Sequence, residues 1–261
     1  MRSNVVAVVT GAGSGVGEAV ARELGRQGAR VALVGRRVTR VDSVAQSIRD
    51  GGGDADAFAC DVAAPDQVDR LAQAIVARFG LPNVLVNSAG VHCEMVPIAE
   101  STPSRWIETM QINLIGAYLT CRAFMGGMIR QGWGRIINVT SASSLVEPGN
   151  VGSVYQLSKV ALNHFTRQLA KELEGTGVTA NVIHPGEVKT EMWASIKADA
   201  SSRAGPGRAA MGWVDWVAET GGEPPEKTAE LVQELLEPGC DAINGQFLWI
   251  KDGLQKPRPS W

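Results

Sequence analysis

The chain has 261 residues, 44% hydrophobic and 20% charged, with a formal net charge of -2. This is ordinary globular composition, and the length supports one large α/β domain over 1–261. No dense Lys/Arg block occurs, so nucleic acid and anionic membrane surfaces are not expected partners.

Short apolar runs alternate with amphipathic stretches, the pattern of a parallel sheet with helices on both faces. The first strand, 5–10, runs straight into Thr10-Gly11-Ala12-Gly13-Ser14-Gly15-Val16-Gly17, and a helix over 15–27 follows. It starts early enough to leave no room for a signal peptide. Glycines there permit a tight turn and close backbone approach to a pyrophosphate, and the helix N-terminus offers N–H groups to it. The second strand, 30–35, ends in Gly35-Arg36-Arg37 without an acid. A carboxylate at that place would hold the ribose 2′-hydroxyl of NAD, whereas a guanidinium suits the 2′-phosphate of NADP. NADP is therefore expected, with Arg36 the leading contact, Arg37 beside it, and NAD the alternative.

A helix over 38–50, a strand over 55–60 and a helix over 65–79 come next, and then a strand over 83–87 that runs into Asn87-Ser88-Ala89-Gly90. Further helices are predicted over 104–129, 155–174 and 225–236, with strands over 134–140, 179–184 and 246–250. No apolar run approaches the roughly 18 residues of a membrane span. The stretch 191–223 breaks the rhythm: it has no clean strand, is interrupted by Ala204-Gly205-Pro206-Gly207, and carries Met192, Trp193, Met211, Trp213 and Trp216. A long apolar and aromatic segment of this kind is expected to be a substrate lid, with Trp193 in its wall, or else to pack on the domain or a neighbouring subunit. Cys60, Cys93, Cys121 and Cys240 lack disulfide-framework or zinc-ligand spacing, and the three histidines form no metal set, so reduced thiols in a cytoplasmic protein are expected.

Tyr155 and Lys159 stand one helical turn apart in a chain with only two tyrosines. An ammonium beside a phenol favours the phenolate, which predicts a tyrosine pKa lowered toward working pH, able to exchange a proton with a carbonyl or alcohol oxygen. Together with the glycine turn, the remaining motifs resemble the short-chain dehydrogenase/reductase family in its single-domain branch of about 250 residues. The matching elements are Thr10-Gly-x-x-x-Gly15-x-Gly17, Asp61-Val62, Asn87-Ser88-Ala89-Gly90, Asn113, Ser141, Tyr155-x-x-x-Lys159 and Pro185-Gly186-x-x-x-Thr190, in family order.

The resemblance implies a doubly wound Rossmann fold with a seven-stranded parallel sheet. It makes Asn113, Ser141, Tyr155 and Lys159 a catalytic tetrad: Ser141 holds the substrate oxygen, Tyr155 exchanges the proton, Lys159 grips the nicotinamide ribose, and Asn113 positions a relay water. Cofactor contacts carried over are Thr10, Gly11, Ser14, Gly15, Val16 and Gly17 at the turn. Asp61 and Val62 serve the adenine, and Asn87, Ala89 and Gly90 lie at the fourth strand. Pro185, Gly186, Val188 and Thr190 lie beside the nicotinamide. His92 and Trp193, with Ser141 and Tyr155, are candidate substrate contacts, and Glu147 and Glu187 are weaker ones. His164, nine residues beyond Tyr155, falls on the opposite helix face. Ser88 departs from the usual second Asn, Leu254 from the usual Gly, and Thr176 stands where relatives acting on acyl-carrier protein often place a basic residue. The expected activity is NADP(H)-dependent interconversion of a moderately apolar ketone or aldehyde and its alcohol, in a homotetramer. An NAD-dependent alcohol dehydrogenase and a non-catalytic dinucleotide sensor are the alternatives.

Overall fold

The computed structural model describes residues 4–201, 212–250 and 253–255. The expected interruption at Ala204–Gly207, Met211, and the tail 256–261 lie outside the described residues.

Five all-buried residues, Val6–Thr10, form β1 at the middle of the sheet. Around it lie β2 (Arg30–Gly35), β3 (Asp54–Ala59), β4 (Val84–Asn87), β5 (Gly134–Val139), β6 (Val178–His184) and β7 (Phe247–Trp249), in the order β3-β2-β1-β4-β5-β6-β7 and all parallel. The expected seven-stranded parallel sheet is thus present. An eighth strand, β8 (Gly253–Gln255), adds antiparallel to β7. The sequence reading missed it; the only signal is Asp252-Gly253, a hairpin-type dipeptide just behind an apolar run.

The apolar runs split by alternation. Val5, Ala7 and Val9 pack with α1 (Gly15–Arg26), α2 (Val38–Asp50) and α9 (Glu226–Glu234), through Leu24, Val44, Ile48 and Leu231. Val6 and Val8 face α3 (Pro65–Phe79), α5 (Gly116–Gln131) and α6 (Ser153–Glu172), through Leu71, Ile75, Phe124, Met128 and Leu169. A strand buried on both faces has no polar side, which is why its sequence reads as a continuous apolar run.

Strand order reverses between β1 and β4, so the crossovers leave on opposite faces and a crevice opens at the carboxyl ends there. One register row crosses those ends: Thr10 lies opposite Asn87, and Asn87 opposite Asn138. The row is bonded through its side chains. Asn87 Nδ2 donates to Asn138 Oδ1 at 2.9 Å, Thr120 Oγ1 donates to Asn87 Oδ1 at 2.7 Å, and Asn138 Nδ2 donates to Thr166 Oγ1 at 2.8 Å.

The predicted helix over 104–129 is two helices, α4 (Pro103–Met110) and α5, joined without a break by a π-helical turn at Gln111–Ile115. By length and composition the stretch Pro103–Gln131 could cross a membrane, contrary to the expectation that no run could. Its apolar window is 56% buried within the protein, with Leu119, Phe124 and Met128 in the core beneath β4 and β5. Core packing accounts for the buried part of that apolarity.

The segment expected to lack regular structure forms α7 (Glu191–Ser201) and α8 (Gly212–Thr220). Trp193, Ile196, Val214 and Val217 make a small apolar cluster of their own. These helices are short and pack chiefly on each other, so their apolar residues show no stripe toward the main core.

Replacing Asn138 with Ala leaves the Asn87 amide and the Thr166 hydroxyl without their buried partner. The expected cost is about 1–3 kcal/mol, read as a lower urea midpoint with an unchanged m-value.

Candidate active site

The crevice is floored by the glycine turn. Ser14 is extended, with φ -167° and ψ 159°, and makes no side-chain cap, so the first N–H groups of α1 point into the crevice with no side-chain acceptor. Gly11 and Gly15 have φ +68° and +56°, which L side chains rarely adopt. A Cβ on Gly11 would lie 2.9 Å from the Ala89 backbone, and one on Gly17 would lie 2.5 Å from the Gly11 carbonyl oxygen. Thr10 Oγ1 accepts the Ala89 N–H at 3.1 Å, pinning the turn after β4 against the turn after β1. This cradle fits a dinucleotide pyrophosphate: its backbone is bare, its N–H groups are oriented, and a helix N-terminus faces it.

Of the residues expected around the adenosine, Asp61 braces its own loop by accepting the Ala63 N–H at 3.0 Å, and Val62 packs on Gly116 of α5. Arg36 approaches Glu108 at 3.8 Å. Arg37 Nη2 reaches Ser14 Oγ at 3.3 Å and Glu191 at 2.8 Å. Thr190 closes over the turn, its methyl 2.9 Å from where a Gly15 Cβ would be.

The four residues expected to form the tetrad come from three places: the π turn, the end of β5, and α6, which carries both Tyr155 and Lys159. Asn113 sits inside the π turn, where the widened helix spares its side chain for work elsewhere. Its Oδ1 accepts the Val91 N–H at 2.8 Å, and its Nδ2 donates to Val91 O at 3.0 Å and to Ser158 Oγ at 3.1 Å. Gly90 lies between Asn113 and Lys159; a Cβ there would be 3.4 Å from Asn113 Oδ1 and 3.7 Å from Lys159 Nζ. Buried Lys159 donates to Val139 O at 3.0 Å. Ser141, just past β5, accepts the Ser143 N–H at 3.2 Å, and its hydroxyl pulls the Tyr155 phenol pKa down.

Burial sets the titration of the pair. The phenol of Tyr155 is pushed up to about 12 by loss of water, against a downward pull from Ser141 and with further upward pushes from Glu187 and Cys93. Burial also lowers Lys159 to about 8. The lowered phenol pKa predicted from the spacing is not what the structure has: Lys159 Nζ stands 5.7 Å from the ring centre, and desolvation outweighs it. At neutral pH Tyr155 holds its proton, so it is poised to donate.

His92 lies against the Tyr155 ring, with centroids 4.8 Å apart, and its Nδ1 donates to Cys93 O at 2.6 Å. Burial lowers its pKa, so the ring is neutral and Nε2 keeps its lone pair. Trp193, expected in a substrate wall, is buried inside the α7–α8 cluster with its indole N–H donating to Val214 O at 3.4 Å. His164 is exposed, as its helical phase predicts.

Sequence reasoning missed His184. It ends β6, directly before Pro185-Gly186, and its Nδ1 accepts the Ala142 N–H at 3.1 Å, so it positions the turn that follows Ser141. A histidine closing a strand directly before Pro185-Gly186 was the available signal. Val188 pairs with Gly222 in an antiparallel bridge, and the Glu187 N–H donates to Glu223 Oε2 at 3.0 Å, which straps the Pro185–Thr190 segment to the chain beyond α8.

The short chain dehydrogenase family pattern matches residues 5–201 of this chain. The chain belongs to that family. As a short-chain dehydrogenase it is an oxidoreductase, and its relatives agree over nearly their whole lengths. A 3-oxoacyl-[acyl-carrier-protein] reductase of Synechocystis is 35% identical, covering 95% of this chain and 96% of the relative. The D-threitol dehydrogenase of Mycolicibacterium smegmatis is 34% identical, covering 95% and 92%. Among solved structures, a variant of the actinorhodin polyketide ketoreductase with NADPH superposes with a TM-score of 0.85 at 32% identity, covering 95% of this short-chain dehydrogenase and 96% of that chain.

Proposed function

We propose that this short-chain dehydrogenase is an NADP(H)-dependent reductase that converts a ketone or aldehyde to an alcohol and can run in reverse. The observation that carries this reading is buried Lys159, held by Val139 O at 3.0 Å with its Nζ 5.7 Å from the Tyr155 ring centre, beside a glycine turn bare enough for a dinucleotide. The bound nicotinamide supplies the hydride. Ser141 holds the carbonyl oxygen by a hydrogen bond, and Tyr155 gives that oxygen its proton. Lys159, oriented by Val139 O, restores the proton to Tyr155. Asn113 accepts and donates across the gap beside Gly90, where a relay to solvent would begin.

The cofactor contacts follow the cradle. Thr10, Gly11, Ser14, Gly15, Val16 and Gly17 would hold the pyrophosphate, and Asp61 and Val62 the adenine. Asn87, Ala89 and Gly90, with Tyr155 and Lys159, would flank the nicotinamide ribose, and Pro185, Gly186, Val188 and Thr190 the carboxamide. NADP is favoured over NAD by the absence of an acid at the end of β2 and by the Arg37–Ser14 pair, with Arg36 nearby; the NADPH-bound ketoreductase supports the same choice. The α7–α8 unit would act as the lid, with Trp193 as its anchoring core, while His92 meets the substrate directly. Thr176 donates its hydroxyl to Leu173 O, and no basic residue stands there for a carrier protein, so a small free substrate is the better reading. Four free thiols, two of them buried, suit a reducing compartment such as the cytoplasm.

A homotetramer is supported by large apolar side chains left in water on adjacent helices. Ile107, Ile115 and Tyr118 on the α4–α5 stretch and Leu157 on α6 are each between 41% and 54% exposed. Light scattering at micromolar concentration should give four times the 27.6 kDa chain mass, and Tyr118→Glu with Leu157→Glu should lower it.

Tyr155→Phe should bind NADPH as the parent does while turnover of a ketone panel falls by about 10²–10⁴. Retained turnover in that variant would overturn the proton-donor assignment, and a chain that binds NADPH but reduces no ketone would be the dinucleotide sensor. The pH profile has a definite sign. Reduction needs Tyr155 protonated and Lys159 charged, so kcat/KM should be flat below pH 8 and fall about tenfold per unit well above it, following the Lys159 pKa of about 8.

A further inference from the structure

The first residue of the lid helix reaches across the crevice. Glu191 Oε2 lies 2.8 Å from Arg37 Nη2, and its Oε1 lies 3.2 Å from Arg40 Nη2. One carboxylate thereby joins two guanidiniums on the start of α2, the corner expected to meet the adenosine 2′-position. The same corner touches the glycine turn twice. Arg37 also contacts Ser14 Oγ, and a Cβ on Gly13 would lie 3.0 Å from Arg40 Cβ. Thr190, directly ahead of Glu191, presses on Gly15 from the other side. Two arginines, a hydroxyl and the turn backbone therefore converge where a carboxylate from the lid now sits.

Carboxylate and phosphate compete for the same donors. Both are anions that accept paired N–H bonds from a guanidinium, and the dianionic phosphate is the stronger partner. The arginines lower the Glu191 pKa, so the carboxylate is ionised throughout the working range. All three side chains are about half exposed, so each ion pair is individually weak and can exchange.

We propose that Glu191 is an internal competitor for the 2′-phosphate of NADP: it occupies Arg37 and Arg40 until the phosphate takes them, and its displacement frees the first turn of α7. This rests on the NADP reading above and goes beyond it. Glu191 becomes the residue that sets how strongly NADP is preferred over NAD, since the unphosphorylated ribose leaves the Glu191–arginine contacts in place. The start of the lid then responds to which dinucleotide is bound.

The adenosine half can be tested without any reaction, by calorimetric titration of the full chain with adenosine 2′,5′-bisphosphate and with adenosine 5′-monophosphate. Glu191→Gln keeps the size and removes the charge. It should tighten the bisphosphate about three- to tenfold, the combined worth of two exposed ion pairs, and change the monophosphate by less than about twofold. The gain should shrink in an Arg37→Gln background and vanish when Arg37→Gln and Arg40→Gln are combined, because the competition then has no object. Unchanged or weaker bisphosphate binding in Glu191→Gln would overturn the proposal, weaker binding marking the carboxylate as a clamp instead. A parent chain that binds both nucleotides equally would strike at the NADP reading itself, which separates the two failures.

Discussion

The amide pair of Asn87 and Asn138 is the constraint on which the rest depends. Two side-chain amides buried at the carboxyl ends of neighbouring strands have no water to fall back on, so they must bond each other, Thr120 and Thr166. That requirement fixes β4 against β5 in one register, because a slip of one residue would send each amide to the opposite face. Thr10 continues the same row into β1 and from there grips Ala89. Once the row is set, the loops that leave it have little freedom: Gly90 must pass between Asn113 and Lys159, and Ser141 must emerge beside Tyr155.

The chemistry of the site follows from how dry that arrangement is. Withdrawal of water penalises any charge, so the same burial raises the phenol and lowers the amine. The consequence is a tyrosine that keeps its proton and a lysine that titrates within the physiological range. A spacing argument that counts only the ammonium's attraction for a phenolate predicts the reverse shift for Tyr155. The sign is decided by distance and solvent, neither of which a four-residue interval contains.

The α7–α8 unit is tied down at both ends. Glu223 and Gly222 strap its far end to the segment after β6, and Glu191 ties its near end to the arginines of α2. Its interior is a separate small apolar cluster, and Asp199 of α7 accepts the Met95 N–H at 3.0 Å.

The parallel sheet, its helical layers and the glycine turn were legible in the residue pattern, and Asn113, Ser141, Tyr155 and Lys159 stood out as candidates through their resemblance to the family's motifs. The sheet and the turn rest on local rules: two-face burial makes strands continuously apolar, and tight turns demand glycine. The tertiary structure decided what depends on distant partners. His184 matters because Ala142, 42 positions earlier, needs an acceptor. Glu191 matters because Arg37 and Arg40 meet it across the crevice, and Trp193 turned inward because Val214 was there to receive it. The edge strand β8 and the two lid helices belong with them, since their partners are only a few residues each. The Tyr155–Lys159 pair stands on both sides of the division: its one-turn spacing was legible in the chain, and the direction of its pKa shifts came from burial.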